Sequence, residues 1–311
     1  MQRAICSLGV LALGMTFVAA SSAALIDDDL NADTSANYSE VALGADHQVL
    51  WAYDYSGTVG SAPNTTDAST TGVRVTANRT QGAASAATLY HNTPIPANAR
   101  VTVDMYMGYT GTGGTTEFGS LGLAATGATP FTIFAPIAGD GTYFTHTGDG
   151  GSASDWRWSR PGGTDPSASV PVNNSSNSYV LGGTNAPMYN GVAGLVEDPL
   201  HPGTNVGNGG NQWITLSITN NNGHTAIRIN GELVVSGSSV GNADDTVLGG
   251  SAPGGFASFS YADVFSSVAS PGDSQFGIFD NFKVEMVPEP SSVLLFGLSA
   301  LGLAALRRQR R

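Results

Sequence analysis

The chain has 311 residues, of which 24 are acidic and only 12 are basic, giving a formal net charge of −12. Five of the basic residues but only one acidic residue lie in the first 24 and last 25 positions, so the body between carries seven basic and 23 acidic residues. Such a surface repels nucleic-acid phosphates and anionic lipid head groups, which argues against nucleic-acid binding. The single cysteine, Cys6, lies near the N-terminus, so the body has neither disulfides nor thiolate metal ligands.

The N-terminal segment, residues 1–24, has the three zones of a secretory signal peptide. Arg3 and the amino terminus form the positive zone, an apolar run follows, and small residues allow cleavage after Ala23 or Ala24. The apolar run is shorter than the roughly 20 residues that a spanning helix needs, which favours a cleaved signal helix over a retained anchor. We therefore expect signal peptidase to process this end.

The body, residues 25–286, is rich in Gly, Ser, Thr and Asn, and its apolar residues come in short runs without helical periodicity. Short alternating runs between turn residues predict an all-β sandwich. We find no internal repeat or linker, so a single domain is predicted. Its acidic start, Asp27-Asp28-Asp29, is expected to be a mobile, charged mature N-terminus.

Two stretches predict strands most clearly. Over 100–109, apolar residues alternate with mainly polar ones, and over 212–236 three strands are separated by turns at 220–223 and at Asn230-Gly231, a pair suited to positive φ. Further predicted strands are 49–55, 73–77, 118–124, 131–134, 156–159, 256–261 and 275–285. The loop-rich stretch between about 148 and 210 is expected to cap or line one side of the sandwich.

The C-terminal tail, residues 287–311, has three features in a fixed order. Pro288, Glu289 and Pro290 interrupt the last strand. The uncharged segment 291–306 would form a transmembrane helix of about 24 Å. A terminal cluster would stay cytoplasmic and place the body outside; it consists of Arg307, Arg308, Arg310 and Arg311. An ordinary single-pass tail anchor is the alternative interpretation.

This order of features resembles a PEP-CTERM sorting signal, which in that family is recognised by an exosortase. The resemblance implies processing near the Pro-Glu-Pro sequence and then release or attachment at the outer surface, often in bacteria that make exopolysaccharide. The apolar helix would then be a temporary anchor in the inner membrane. The expected final location is the cell surface or the extracellular space.

The body resembles the concanavalin A-like, laminin-G-like jelly rolls found in several PEP-CTERM proteins. The resemblance is carried by 213–218 and 227–234, by a closing strand at 277–284, and by the early stretches 53–57 and 61–64. It implies a single jelly-roll-like β-sandwich whose typical task is adhesion to carbohydrate or protein, and sometimes hydrolysis.

Catalysis has little support in the sequence. Laminarinase-type members of this fold carry Glu-x-Asp-x-x-Glu on one strand, which places three carboxylates on one face, and no such run exists here. The histidines lack metal-ligand spacing, and His146 and His201 are predicted to be loop residues. Carboxylates paired across strands stay open as a route to catalysis. We predict that the protein is not an enzyme and that it requires no cofactor.

Two candidate sites lie close together in the sequence. Asp149 and Asp155 stand in a glycine-rich stretch and are candidate calcium ligands, although the spacing is not that of an EF-hand and a solvated loop is the favoured alternative. Trp156 and Trp158 are two apart, so a strand points both to one face. Exposed, they would stack on sugar rings; buried, they would be core residues, which is the favoured interpretation.

These observations predict an exported, non-enzymatic β-sandwich that adheres to carbohydrate. The exopolysaccharide of the bacterium that produces the protein is among the candidate glycans. The first alternative is a passive structural matrix protein without saccharide affinity. The second is a glycan hydrolase or lyase with cross-strand carboxylates. The identity of the ligand and the oligomeric state do not follow from the sequence.

Overall fold

The computed structural model describes residues 24–80, 82–108, 117–131, 141–148, 156–160, 172–173, 209–240, 254–263, 268 and 273–287. No α-helix occurs in these ranges, and accordingly none of their helical turns could cross a membrane. The expected signal helix up to Ala23, the expected transmembrane helix 291–306, the predicted strand residues 132–134, and Asp149 and Asp155 lie outside them. The domain limits 1–24, 25–286 and 287–311 stay predictions.

Fifteen strands and one 3-10 turn, Ser35–Asn37, make up the described structure. In chain order the strands are β1 Ala24–Asp28, β2 Tyr38–Leu43, β3 His47–Asp54, β4 Thr71–Ala77, β5 Ser85–His91, β6 Ala99–Gly108, β7 Glu117–Ala125, β8 Thr142–Thr147, β9 Trp156–Ser159, β10 Val172–Asn173, β11 Trp213–Asn221, β12 His224–Ile229, β13 Glu232–Ser238, β14 Phe256–Asp263 and β15 Phe276–Met286.

The strands form two antiparallel sheets, which confirms the predicted all-β sandwich. Sheet A has the order β13-β12-β11-β6-β15-β4-β3, and sheet B has the order β10-β9-β8-β7-β14-β5-β2. Strand β15 pairs along its length with β6, and its other side is shared by β4, opposite residues 277–279, and β1, opposite residues 282–285. A β-bulge at 280–283 separates these two parts of β15.

The core lies between the sheets and follows the alternation in the sequence. Val101, Val103 and Met105 of β6 are fully buried, as are Leu216 of β11 and Phe259 of β14. A ring from each sheet meets at the centre, with the centroids of Phe259 and Phe279 4.7 Å apart. Burial of these apolar and aromatic side chains is the main favourable contribution to folding, since the body has no cysteine to crosslink it.

The predicted meander is confirmed, and its turns are both two-residue turns. Asn230 and Gly231 have φ of 49° and 82°, and Asn222 and Gly223 have φ of 48° and 80°. The first loop is therefore shorter than the predicted 220–223, because Asn221 still pairs with His224. Both turns use the Asn-Gly pair that tolerates two consecutive residues with positive φ.

Two local predictions are wrong. Asp27 and Asp28 belong to β1 instead of a mobile N-terminus, because the neighbouring Ile26 is buried opposite Val284. His146 lies in β8 and not in a loop. Its ring is fully buried with Nε2 3.0 Å from Sδ of Met105, and this burial lowers the pKa of His146 to about 4.

Candidate ligand groove on sheet A

The outer face of sheet A, turned away from sheet B, changes character along its strands. At one end lies an apolar row of residues paired side by side across three strands: Ile278, Tyr106 and Trp213. The loop 55–70 between β3 and β4 covers this row. Tyr55 is fully buried with its ring 5.3 Å from that of Trp213, and Nε1 of Trp213 donates to the carbonyl of Gly60 at 2.8 Å.

The next row is polar and pairs Asp280 with Asp104, and Asp104 with Thr215. The carboxylate of Asp104 is fully buried and accepts four hydrogen bonds. Asn64 donates its backbone N–H at 2.9 Å and Nδ2 at 2.7 Å, Thr215 donates Oγ1 at 2.6 Å, and Asn281 donates Nδ2 at 3.0 Å. Buried charges persist when their hydrogen-bonding capacity is met in this way. Asp104 therefore holds the loop 55–70 on the sheet.

Asp280 is the second buried carboxylate of this row. Its Oδ2 accepts from the hydroxyl of Tyr55 at 2.6 Å, and its Oδ1 accepts from the backbone N–H of Asn281 at 2.7 Å. Burial raises the pKa of Asp280 to about 7; these two hydrogen bonds oppose the shift, and the charges of Asp104 and Asp29 add to it. The same burial, together with Asp280, raises the pKa of Tyr55.

Beyond this row the face opens into a groove of about 690 Å³. All of its lining residues are polar or charged: Asp27, Asp28, Asp29, Asn64, Thr66, Thr102, Thr215, Asn281, Lys283 and Glu285. Asn64, Thr215 and Asn281 belong to both the groove and the Asp104 network. The positions of three lining side chains are thus set by a buried carboxylate beneath the groove.

The groove carries more negative than positive charge. Lys283 lies directly opposite Asp27 of β1 on one side and Thr102 of β6 on the other, and its Nζ is 3.3 Å from Oε1 of Glu285. Asp28 accepts the hydroxyl of Tyr38 at 3.0 Å, which fixes β1 against the start of β2. Within the described ranges, no group of three or more acidic, histidine or cysteine side chains is placed to hold a metal ion.

Trp156 and Trp158 do not line this groove. They are 1% and 0% exposed in β9, on the inner side of sheet B, where the rings of Phe144 and Trp156 have centroids 5.6 Å apart. Neither indole presents a face to a sugar, which confirms the core position favoured from the sequence and corrects the alternative assignment of these residues to ligand binding. The period of two indicates that both share a face, but not that the face is covered by the other sheet.

Replacing Trp158 by alanine is expected to destabilise the fold without touching the groove. Removal of a fully buried indole costs about 3–5 kcal/mol of unfolding free energy. Chemical denaturation of the variant would measure this loss. A ligand-binding role would instead predict a stable variant with weakened glycan binding.

The residues that form the groove were not among the sequence candidates. Thr102 and Asp104 occupy the polar positions of the most regular strand, and Asn64 stands in the early stretch 61–64. The alternation of polar and apolar residues in this strand is the signal that the sequence offers, because polar side chains on one face of a strand contact either water or hydrogen-bond partners. The partners of Asp104 lie 40, 111 and 177 residues away in the chain, so only the fold reveals them.

The described residues define a two-sheet β-sandwich with a polar groove on one outer face. Residues 287–311 match the PEP-CTERM protein-sorting motif, which confirms the prediction made from Pro288, Glu289, Pro290 and the terminal arginines. The motif indicates export, with the C-terminus as membrane anchor before processing. No curated protein sequence matches the chain.

The solved structures that the chain matches are distant from it. A Bacillus subtilis protein of unknown function with a galectin-like fold is 10% identical, with 86% of this chain and 97% of that chain covered and a TM-score of 0.44. The Emp47p carbohydrate recognition domain is 9% identical, with coverages of 84% and 94% and a TM-score of 0.42. The carbohydrate-binding module CBM66 from B. subtilis is 10% identical, with coverages of 73% and 92% and a TM-score of 0.37.

Proposed function

We propose that the protein is an exosortase substrate displayed at the cell surface or in the extracellular matrix, where its jelly-roll-like sandwich binds carbohydrate through the groove on sheet A. The observation that carries the binding proposal is the exclusively polar lining of the groove. Sugar hydroxyls donate and accept hydrogen bonds, and carboxylate, amide and hydroxyl side chains complement both roles. The buried Asp104 network holds part of this lining in place before a ligand arrives, which reduces the entropy cost of binding.

Binding without cleavage is the favoured activity. Asp104 and Asp280 face each other across β6 and β15, which is the cross-strand carboxylate pair that a hydrolase would need. Both are fully buried beneath the loop 55–70. Glycoside cleavage requires carboxyl groups that reach the glycosidic bond and a water or the anomeric carbon. Two carboxylates covered by a loop do not satisfy this requirement, so a hydrolase or lyase is the less favoured alternative.

A double substitution in the groove tests the binding site. Asp27→Ala with Thr102→Val removes two polar lining side chains from β1 and β6, the strands on either side of Lys283. We expect binding to the recognised polysaccharide to weaken about tenfold, given about 0.5–1.5 kcal/mol for each hydrogen bond. Ser236→Ala on β13, outside the groove lining, is the matched control. Affinity is measured by polysaccharide pull-down or isothermal titration after a glycan-array screen.

Each outcome of this experiment separates the alternatives. Equal binding by the double variant and the control would show that the glycan binds outside the groove. Failure of the unaltered protein to bind any glycan, including the host's own exopolysaccharide, would favour the passive structural protein. Release of new reducing ends from a bound glycan would favour the hydrolase.

A further inference from the structure

The last strand of the fold runs directly into the sorting motif. Strand β15 ends at Met286, and Val287, the first residue of the motif match, still donates its backbone N–H to the carbonyl of Asn98 at 3.2 Å. The folded body and the motif therefore adjoin without a spacer.

This end of β15 is held on both sides. Glu285 lies opposite Arg100 of β6 and opposite Ala24 of β1, and Met286 lies opposite Ala99. The adjacent Val284 is fully buried. Val284 and Glu285 lie between β6 and β1, whereas Met286 and Val287 are held on the β6 side alone, so separating residues 284–287 breaks contacts to two neighbouring strands.

The sequence leaves few residues between the fold and the expected transmembrane helix. Three residues, 288–290, separate Val287 from the helix expected over 291–306, and three extended residues span at most about 10 Å. Enzymes that cut or transfer a peptide chain act on exposed, extended segments or on segments exposed by local opening. Opening of residues 284–287 would lengthen the accessible segment to seven residues, or about 25 Å.

We propose that the C-terminal end of β15 gates processing of the sorting motif, so that the sorting enzyme acts on the chain when residues 284–287 are separated from β6 and β1. This gate rests on the exosortase processing proposed above. Because cleavage of a transiently opened segment follows the population of the open form, the processing rate depends on the stability of this strand end as well as on the motif.

A disulfide across the strand end tests the gate. Arg100→Cys with Glu285→Cys joins two residues that lie directly opposite each other, a separation that a disulfide can bridge. The body contains no other cysteine, and exported proteins reach an oxidising compartment where the bond persists. The matched control, Ala226→Cys with Ser236→Cys, joins β12 to β13 away from β15.

We expect processing of the Arg100/Glu285 disulfide variant to be at least about tenfold slower than that of the control, as followed by mass spectrometry of the C-terminus in the producing cells. A six-residue Gly/Ser spacer between Val287 and Pro288 is expected to restore processing in the crosslinked protein, and to speed it in the uncrosslinked chain. The spacer in the uncrosslinked chain tests the gate even where the disulfide impairs folding.

The gate and the exosortase processing would be overturned by different results. Processing of the crosslinked protein at the control rate, or no acceleration by the spacer, overturns the gate while leaving sorting intact. An unaltered protein that retains Arg311 in the producing cells overturns the proposed exosortase processing, on which the gate depends.

Discussion

Replacing Asp104 by alanine is expected to lower the unfolding free energy by about 3 kcal/mol and to release the loop 55–70 from sheet A. The substitution leaves the donors of Asn64, Thr215 and Asn281 without their shared acceptor. A buried donor that loses its partner costs about 1–3 kcal/mol, and part of this cost is offset because a buried charge is removed as well. Urea denaturation would measure the stability, and limited proteolysis would detect new cleavage within 55–70.

Asp104→Asn is the control for this prediction. It keeps one carbonyl acceptor at the same place and removes the charge, so its loss of stability should be smaller than that of Asp104→Ala. Because Asn64 and Thr66 line the groove from the loop, we also expect Asp104→Ala to weaken glycan binding in the folded fraction. An alanine variant as stable as the unaltered protein, with an uncleaved loop, would contradict the anchoring role of Asp104.

Replacing Asp280 by asparagine is expected to flatten the pH dependence of stability between about pH 4 and pH 7. Burial raises the pKa of Asp280 to about 7, so the folded protein binds this proton more tightly than the unfolded chain does. The contribution of Asp280 is therefore most favourable below about pH 4 and is lost as the pH rises through about 7, with a slope of at most about 1.4 kcal/mol per pH unit. Asp280→Asn removes this slope.

The measurement is the urea midpoint of both proteins at several pH values between 4 and 8. Asp54→Asn is the matched control, because hydrogen bonds from Ser56 and Thr70 lower the pKa of the exposed Asp54. The contribution of Asp54 changes at lower pH, so its removal should leave the slope between pH 4 and 7 as it was. Parallel curves for Asp280→Asn and the unaltered protein would contradict the prediction, because they would show that Asp280 has the same pKa in the folded and the unfolded protein.

The parts of the fold that were predictable are those in which neighbouring residues carry the information. In β6, buried apolar residues alternate with residues of the outer face, and the two Asn-Gly turns define the meander. Strand β5 gave no such signal. Its sequence, Ser-Ala-Ala-Thr-Leu-Tyr-His, is buried at every position, so no exposed face imposes a polar residue at alternate sites.

The sorting motif could be recognised from the sequence and the groove could not, again because one is local in the chain and the other is not. The motif occupies 25 contiguous residues, and its features could be recognised in order along the chain. The groove combines β1, the loop 55–70 and residues from β6, β11 and β15, which adjoin only after both sheets have formed. Asp104 and Asn281 each stand in a predicted strand, but nothing in the sequence indicates that these two residues, 177 positions apart, are hydrogen-bond partners.

The groove and the tail are only a few residues apart along the chain, and this determines how mechanical load would pass through the molecule. Lys283 lines the groove, and only three residues separate it from Val287, where the chain leaves the fold. A polymer held in the groove of a protein tethered by its C-terminus would pull mainly on β15 and its neighbours β6 and β1. Sheet B would lie outside this path, so stretching the tether would load one sheet and spare the other.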